Sequence, residues 1–322
     1  MTFAQRVQNF VNRYVMHTLL EYVIITQPIR QLQTTYGIRE DLSPKEVAAS
    51  AALWLCQTTF ALDAARPIAP NWIPIAGFVI PPVQPLTQDL LNFIDGAGEH
   101  GFILFTLGSL TVSFSDQKLT NAISKVFSEL RQRVIWRYVG PRPHPVGNNT
   151  LILKWVPQND LLAHPKIRFL IYHGGAAGVH EAVYHGVPMI VMPQAADQPA
   201  NAAMVEGKGM GLTLDSGTLD EESFGQAVHR LLEDPSFKAN AVRASEIFRH
   251  DIVHPLDRAV FWIEHVLQFG SGHLRSRATD MGFIQLHSLD VIAFVVAIFS
   301  LSFFLIWKLC ISRCCRPRPP AG

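Results

Sequence analysis

Seventeen consecutive residues near the C-terminus, Val291 to Trp307 ("VIAFVVAIFSLSFFLIW"), carry no charge, no glycine and no proline. A helix made from them has no polar face, so it needs either a protein core on every side or a bilayer. At 1.5 Å per residue it nearly crosses a hydrocarbon layer of about 30 Å, and "LCI" after Lys308 lengthens it. We therefore expect a transmembrane helix over 289–311. Lys308, Arg313, Arg316 and Arg318 follow it, whereas Asp290 and His287 precede it. The positive-inside bias then makes 312–322 a cytosolic tail and puts the preceding body on the lumenal or extracellular side, joined by a juxtamembrane segment, 271–288.

The first residues, "MTFAQRVQNFVNRYVMHTLL", have scattered charges and an amphipathic look, without the charged-then-apolar order of a signal peptide. The reading is that the chain lacks the start of a longer protein, or that its anchor does the targeting. The 27 basic and 26 acidic side chains leave a formal charge of +1, with no nucleic-acid footprint. Cys56 stands alone on the lumenal side. Cys310, Cys314 and Cys315 cluster at the cytosolic membrane edge, as sites for S-palmitoylation or as plain thiols. "NNT" at Asn148 to Thr150 is a glycosylation sequon if this face is lumenal.

Residues 1 to about 60 read as helical, with Pro28 and Pro44 at first-turn positions. The proline-rich passage "ARPIAPNWIPIAGFVIPPVQPLTQ" reads as a linker wrapping a surface. From Gly101 the pattern becomes short apolar runs alternating with helical stretches: "GFILFT", a helix from Asp116, "RVIWRYV", "TLILKWV", "IRFLIY", a helix over 176–185, "VPMIVM", a helix from Asp197, "GMGLTL", and further helices to Phe269. That alternation predicts a doubly wound parallel α/β domain.

In such sheets ligands bind beyond the carboxyl ends of the strands. There stands "FLIYHGGAAGVHEA", Phe169 to Ala182. Gly174 and Gly175 let backbone N–H groups approach an anion, the following helix end adds positive potential, and His173 adds a donor. Glu181, two turns deeper, is an acceptor suited to vicinal hydroxyls. A helix cap with a solvated histidine is the plain alternative. Trp155 and Gln158, at another strand end, can stack on a base and read its edge; Asp197 and Gln198 suit sugar hydroxyls; Ser109 sits beside the first strand. The sequence lacks a G-x-G-x-x-G after a strand with a matching acid, which removes a dinucleotide oxidoreductase.

The stretch Trp155 to Gln198 ("WVPQNDLLAHP…YHGGAAGVHEAVYHGVPMIVMPQAADQ") resembles the UDP-glycosyltransferase signature, in its animal UDP-glucuronosyltransferase form. "RPIAPN", "VIWRYVG" and "PLDRAVFWIEHV" extend the resemblance over essentially the whole chain. It implies a GT-B fold: a Rossmann-like UDP-sugar domain at 101–270, a remnant of the acceptor domain at 1–76 and a linker at 77–100.

It further implies Trp155 on uracil with Gln158 nearby, Ser109, His173, Gly174 and Gly175 at the diphosphate, Glu181 on the ribose, and Asp197 with Gln198 on the sugar. Arg137 is a weaker candidate, balanced against a structural ion pair. Ala177 and Ala195 stand where many members carry Asn and an aromatic residue. The implied reaction is inverting transfer of a sugar, foremost glucuronate, from UDP-sugar to a small lipophilic acceptor, without cofactor. No D-x-D occurs, and no metal is expected. The family's general-base histidine belongs to a region before this chain; His17 reads as an ordinary helix-surface residue. The rival reading is a silent partner that regulates full-length relatives, as a homo- or hetero-oligomer. An endoplasmic reticulum membrane location follows by analogy with the family.

Overall fold

The computed structural model describes residues 3–11, 23, 26–108 and 116–314, so the expectations for Ser109, His17 and the tail beyond Cys314 lie outside the described residues. The chain divides into two compact units: Leu53–Ile68 with Trp72–Phe269, and Met1–Ala52 with Ala69–Asn71 and Gly270–Gly322.

In the second of these, the described residues at the start of the chain form α1 (Phe3–Val11), α2 (Gln27–Tyr36) and α3 (Pro44–Ala49). Pro28 lies in the first turn of α2, and Gly37, in left-handed conformation at φ 62°, ends it. Ser43 and Glu46 form a reciprocal capping box at the start of α3, the serine oxygen accepting from Glu46 N at 3.2 Å and the carboxylate from Ser43 N at 2.7 Å.

The larger unit starts with two short strands, β1 (Trp54–Cys56) and β2 (Trp72–Pro74), paired in parallel. The helical expectation for residues up to 60 thus fails at Trp54, where aromatic and small side chains favour an extended partner within the proline-rich passage. Helix α4 (Gln88–Asp95) lies in the stretch read as linker, and buries Leu90 and Ile94 in the main core.

From Gly101 the order is β3 (Phe102–Thr106), α5 (Gln117–Ser128), β4 (Arg133–Arg137), β5 (Thr150–Leu153), α6 (Gln158–Leu162), β6 (Ile167–Tyr172), α7 (Ala176–Tyr184), β7 (Met189–Val191), α8 (Gln198–Gly207) and β8 (Gly211–Thr213). Helices α9 (Glu221–Glu233), α10 (Pro235–Arg249) and α11 (Pro255–Phe269) complete the unit. Asp116, Asp220 and Asp234 cap α5, α9 and α10, accepting from backbone N–H groups at 2.8–2.9 Å.

All six strands from β3 to β8 are parallel, in the order β5-β4-β3-β6-β7-β8. The sequence alternates faces along each strand, as the pleat requires. Phe102, Leu104, Leu170 and Met189 pack on one side with Val179, Val183, Val205 and Ala241. Ile103, Phe105, Trp136, Phe169 and Ile190 pack on the other with Ile123, Phe127, Phe224 and Val228. With helices on both faces the strands carry apolar residues continuously, which is why they read as unbroken runs. The expected doubly wound sheet is present.

After Phe269 come a short turn, α12 (Phe283–Leu286), and α13 (Leu289–Cys314). Within α13 the span Leu289–Leu309 has a mean hydropathy of 2.6 and is wholly exposed. Among the described residues it is the one helix long and apolar enough to cross a membrane.

Candidate functional site

The strand order places β3 and β6 side by side, with the chain running outward from them in both directions. Such a reversal opens a crevice beyond the carboxyl ends of the two strands, because the loops leaving them diverge to opposite faces. A cleft of about 220 Å³ lies there, lined from β3 by Thr106 and Gly108, from β4 by Arg137, and from β6 and α7 by Tyr172, Ala177, Gly178 and Glu181; Trp155, Val156 and Gln158 close it.

Glycine makes this arrangement possible at two positions. Gly108 has φ 82°, and a Cβ there would stand 2.9 Å from His173 Nε2; a Cβ on Gly178 would stand 2.6 Å from the Tyr172 hydroxyl. The imidazole of His173 therefore fills the space over Gly108 and lies edge-on to Tyr172, at 4.2 Å between ring centres. Gly175 precedes α7 and provides no side-chain cap; the Gly178 N–H donates to Tyr172, so the N–H groups of Ala176 and Ala177 are those left for an anion.

Gln158 donates from Nε2 to Glu181 Oε2 at 2.6 Å, which fixes one carboxylate oxygen and leaves the other for a ligand hydroxyl. Burial raises the Glu181 pKa, with the Gln158 bond acting the other way. Burial also pushes the Tyr172 phenol up to about 12, helped by the charge of Glu181, so its hydroxyl stays a donor across the physiological range. His173 is held below the ordinary imidazole pKa by burial, against the pull of Asp197. Its Nδ1 is buried without a hydrogen-bond partner.

Trp155 is 68% exposed, an unusual setting for an indole. The Arg137 guanidinium carbon lies 5.0 Å from the centre of its ring. Arg137 is buried and donates from Nη1 to the Gly108 carbonyl. The sequence reading balanced it between ligand and ion pair; here it braces the Gly108 turn and the indole together.

Asp197 and Gln198 stand at the β7–α8 turn. Asn201 Nδ2 donates both to the Gly174 carbonyl at 2.9 Å and to Asp197 Oδ2 at 2.7 Å, tying this turn to the glycine turn after β6. Gln198 Oε1 accepts from Gln194 N at 2.7 Å and Ala195 N at 3.0 Å, so its carbonyl end is spent inside the loop and its amide nitrogen is the part left for a ligand. The structure thus gathers Trp155, Gln158 and Glu181 around the cleft. His173, Gly174 and Gly175 occupy its β6 rim, and Asp197 and Gln198 lie on the neighbouring turn. Thr106, Gly108, Tyr172, Gly178 and Asn201 were missed from sequence. Thr106 and Tyr172 end strands that read as plain apolar runs, and only their terminal position could have marked them.

A larger groove of about 1050 Å³ runs along α9, lined by Glu129, Asp220, Glu221, Glu222, Glu233 and Asp234 among others. Its carboxylates would repel a diphosphate, and two of them are helix caps. The charged residues lining the strand-end cleft are Arg137 and Glu181, one of each sign. Among the described residues no group of three His, Cys, Asp or Glu side chains converges as a metal-ligand set.

A six-stranded parallel sheet with a crevice at its switch point and a glycine-rich strand-to-helix turn is the architecture of a Rossmann-like domain of the GT-B fold. Solved structures agree in fold. The glycotransferase of kitacinnamycin superposes with a TM-score of 0.57 at 20% identity, over 81% of this chain and 67% of that one. The calicheamicin glycosyltransferase CalG4 superposes with a TM-score of 0.55 at 19% identity, over 84% and 64%.

The chain belongs to the UDP-glucoronosyl and UDP-glucosyl transferase family, whose model matches residues 1–317. It is 37% identical to UDP-glucuronosyltransferase 2A1 of Mus musculus over 97% of this chain, and 38% identical to UDP-glucuronosyltransferase 1A1 of Homo sapiens over 96%. The chain spans 58% of the length of each of these relatives.

Proposed function

We propose that this chain binds a UDP-sugar, foremost UDP-glucuronate, in the strand-end cleft and serves its inverting transfer to a small lipophilic acceptor. The carrying observation is the convergence of Trp155, the Gln158–Glu181 pair and the first turn of α7, at Ala177 and Gly178, on one crevice, with the His173–Gly175 turn directly before that helix. The uracil stacks on the face of Trp155 away from Arg137, the ribose hydroxyls meet the free oxygen of Glu181, and the diphosphate meets His173 and the N-terminus of α7. Asp197 and the amide nitrogen of Gln198 face the sugar. When the acceptor oxygen attacks the anomeric carbon, the bond to the diphosphate breaks and negative charge collects on the leaving UDP; the α7 end and His173 stabilise that charge. The proton acceptor for the attacking hydroxyl is assigned to a histidine in the part of the relatives' length that this chain does not span. Span Leu289–Leu309 holds the protein in the endoplasmic reticulum membrane with its body in the lumen, a placement that protease protection of sealed microsomes tests.

Titration calorimetry of the full chain in detergent tests the donor reading. Trp155→Ala weakens UDP binding by roughly 10–100-fold, since stacking of a base on an aromatic ring contributes about 1–3 kcal/mol. Because Trp155 is exposed, its removal leaves the unfolding temperature nearly unchanged. Equal heats for the two proteins would remove the cleft as the UDP site. The rival reading, a silent partner that regulates full-length relatives, predicts donor binding with no transfer by this chain alone and a changed transfer rate when it is mixed with such a relative.

The depressed pKa of His173 gives a second expectation. A bound diphosphate favours the imidazolium, so binding raises that pKa and takes up a fraction of a proton. Affinity for UDP-glucuronate, which has no group titrating between about pH 6 and 8, therefore increases as pH falls through that interval. In His173→Gln the slope disappears. The free protein behaves in the opposite sense: the depressed value stabilises the fold above the ordinary imidazole pKa and is lost as pH falls through it. Calorimetry at several pH values separates the two effects.

A further inference from the structure

We infer that the turn α12 and the residues beside it form an elbow embedded in the lipid headgroup layer, at the edge of the span that follows it. The inference builds on the reading of Leu289–Leu309 as a membrane span.

The observation is an exposed apolar turn directly joined to the span. Met281, Phe283, Ile284 and Leu286 are 42%, 70%, 61% and 46% exposed. They occur within six residues of chain, and just before them Arg275 donates from Nη2 to Asp280 at 2.7 Å and from Nε to the Thr279 hydroxyl at 3.2 Å. A patch of this kind in water calls for a covering partner.

Continuity with the span identifies that partner as lipid. Helix α12 closes with Leu286 N donating to Gly282 O at 2.9 Å and His287 N to Phe283 O at 3.2 Å. Ser288 then takes φ 50°, and its carbonyl accepts from Ile292 N at 2.9 Å as the first bond of α13. A non-glycine residue in the left-handed region forces a sharp change of direction, so the turn does not simply extend the membrane helix. The two elements contact one another across this bend.

Distance decides the rest. Leu289 marks the edge of the apolar span, and Phe283 is six residues before it. Even a straight continuation of the helix would lift Phe283 by only about 9 Å, and the headgroup layer on each side of the hydrocarbon is about 5–8 Å thick. With the bend, the turn lies within that layer. Phenylalanine, isoleucine and leucine there bury their side chains at the acyl boundary, while Arg275 and Arg277 stand on the side of the phosphates. The elbow contains no helix long enough to span anything, so its role is to lie in the interface.

Photo-crosslinking of the full chain in phosphatidylcholine vesicles tests this directly. The photoreactive residue p-benzoylphenylalanine is placed singly at Phe283, Ile284, Phe299 and Gly272, with tritiated phosphatidylcholine as the trap. Phe299, in the middle of the span, reports on the span itself, and Gly272, in open surroundings before the elbow, reports background. The expected result is lipid adduct at Phe283 and Ile284 in a yield comparable to Phe299 and at least about tenfold above Gly272. Lipid adduct at Phe299 with none at Phe283 and Ile284 overturns the elbow and leaves the span intact, and so do adducts at those two positions with protein in place of lipid. Absence of adduct at Phe299 removes the span, and the elbow with it.

Discussion

Trp136→Ala lowers the unfolding temperature of the full chain by roughly 10 °C, the largest single-residue loss of stability expected in this protein. Trp136 is 1% exposed in the middle of β4. Its indole stacks on Phe105 at 5.1 Å between ring centres, meets the edge of Phe127 at 5.6 Å and leans on Tyr138 at 5.1 Å. Phe127 in turn meets Phe224 of α9, so one ring system joins two strands to the helices covering that face. Deleting it removes the transfer energy of a large aromatic and leaves a cavity that its three ring neighbours cannot refill, a cost of about 3–5 kcal/mol. Differential scanning fluorimetry in detergent, with Trp155→Ala as the exposed control, measures it. A shift no larger than the control's would mean that this face of the sheet is not packed as described.

The second large effect reverses a general rule. An alanine inside a helix normally stabilises by about 1 kcal/mol relative to glycine, yet Gly178→Ala in α7 is expected to destabilise and to abolish UDP binding. The added methyl would lie 2.6 Å from the Tyr172 hydroxyl and 2.7 Å from its Cε1. Tyr172 is buried at the end of a central strand, so its ring has to swing toward Gln158 and Glu181, into the cleft. Overpacking of this kind costs about 1–3 kcal/mol, and the displaced ring occupies the ribose position. Adding Tyr172→Val relieves the overlap, so the double variant recovers stability that the single one has lost. Calorimetry and fluorimetry on the three proteins read both effects. Full UDP affinity in Gly178→Ala would exclude Tyr172 from the cleft wall.

The sheet and the glycine turn between β6 and α7 were legible because their physics is local. A strand buried on both faces is an apolar run whichever strand it pairs with, and His173-Gly174-Gly175 reads as a strand-to-helix turn from its own residues. The short strand Trp54–Cys56 was not legible, since three residues become a strand only by pairing with Trp72–Pro74 across a proline-rich stretch that itself reads as coil. Helix α4 disappeared into the same passage. Side-chain commitments were equally hidden. Gln198 reads as suited to sugar hydroxyls, and nothing in the sequence shows that its carbonyl oxygen accepts from two backbone N–H groups of its own loop. Asn201 showed no reason to matter until its amide joined two turns that lie 27 residues apart in sequence. Arg137 reads as a weaker ligand candidate balanced against a structural ion pair, and its bond to the Gly108 carbonyl depends on β3 and β4 being neighbours.

The adjacency of β3 and β6 also governs how the molecule can come into being. Phe105 finds its partner Ile171 only after two strands and two helices have been made in between, so the central seam of the sheet closes across a long loop. A nascent chain cannot complete its core before Tyr172 leaves the ribosome. Until then the apolar run Phe102–Thr106 has one of its two flanks uncovered, and a chaperone that recognises bare strand edges would find its binding site there.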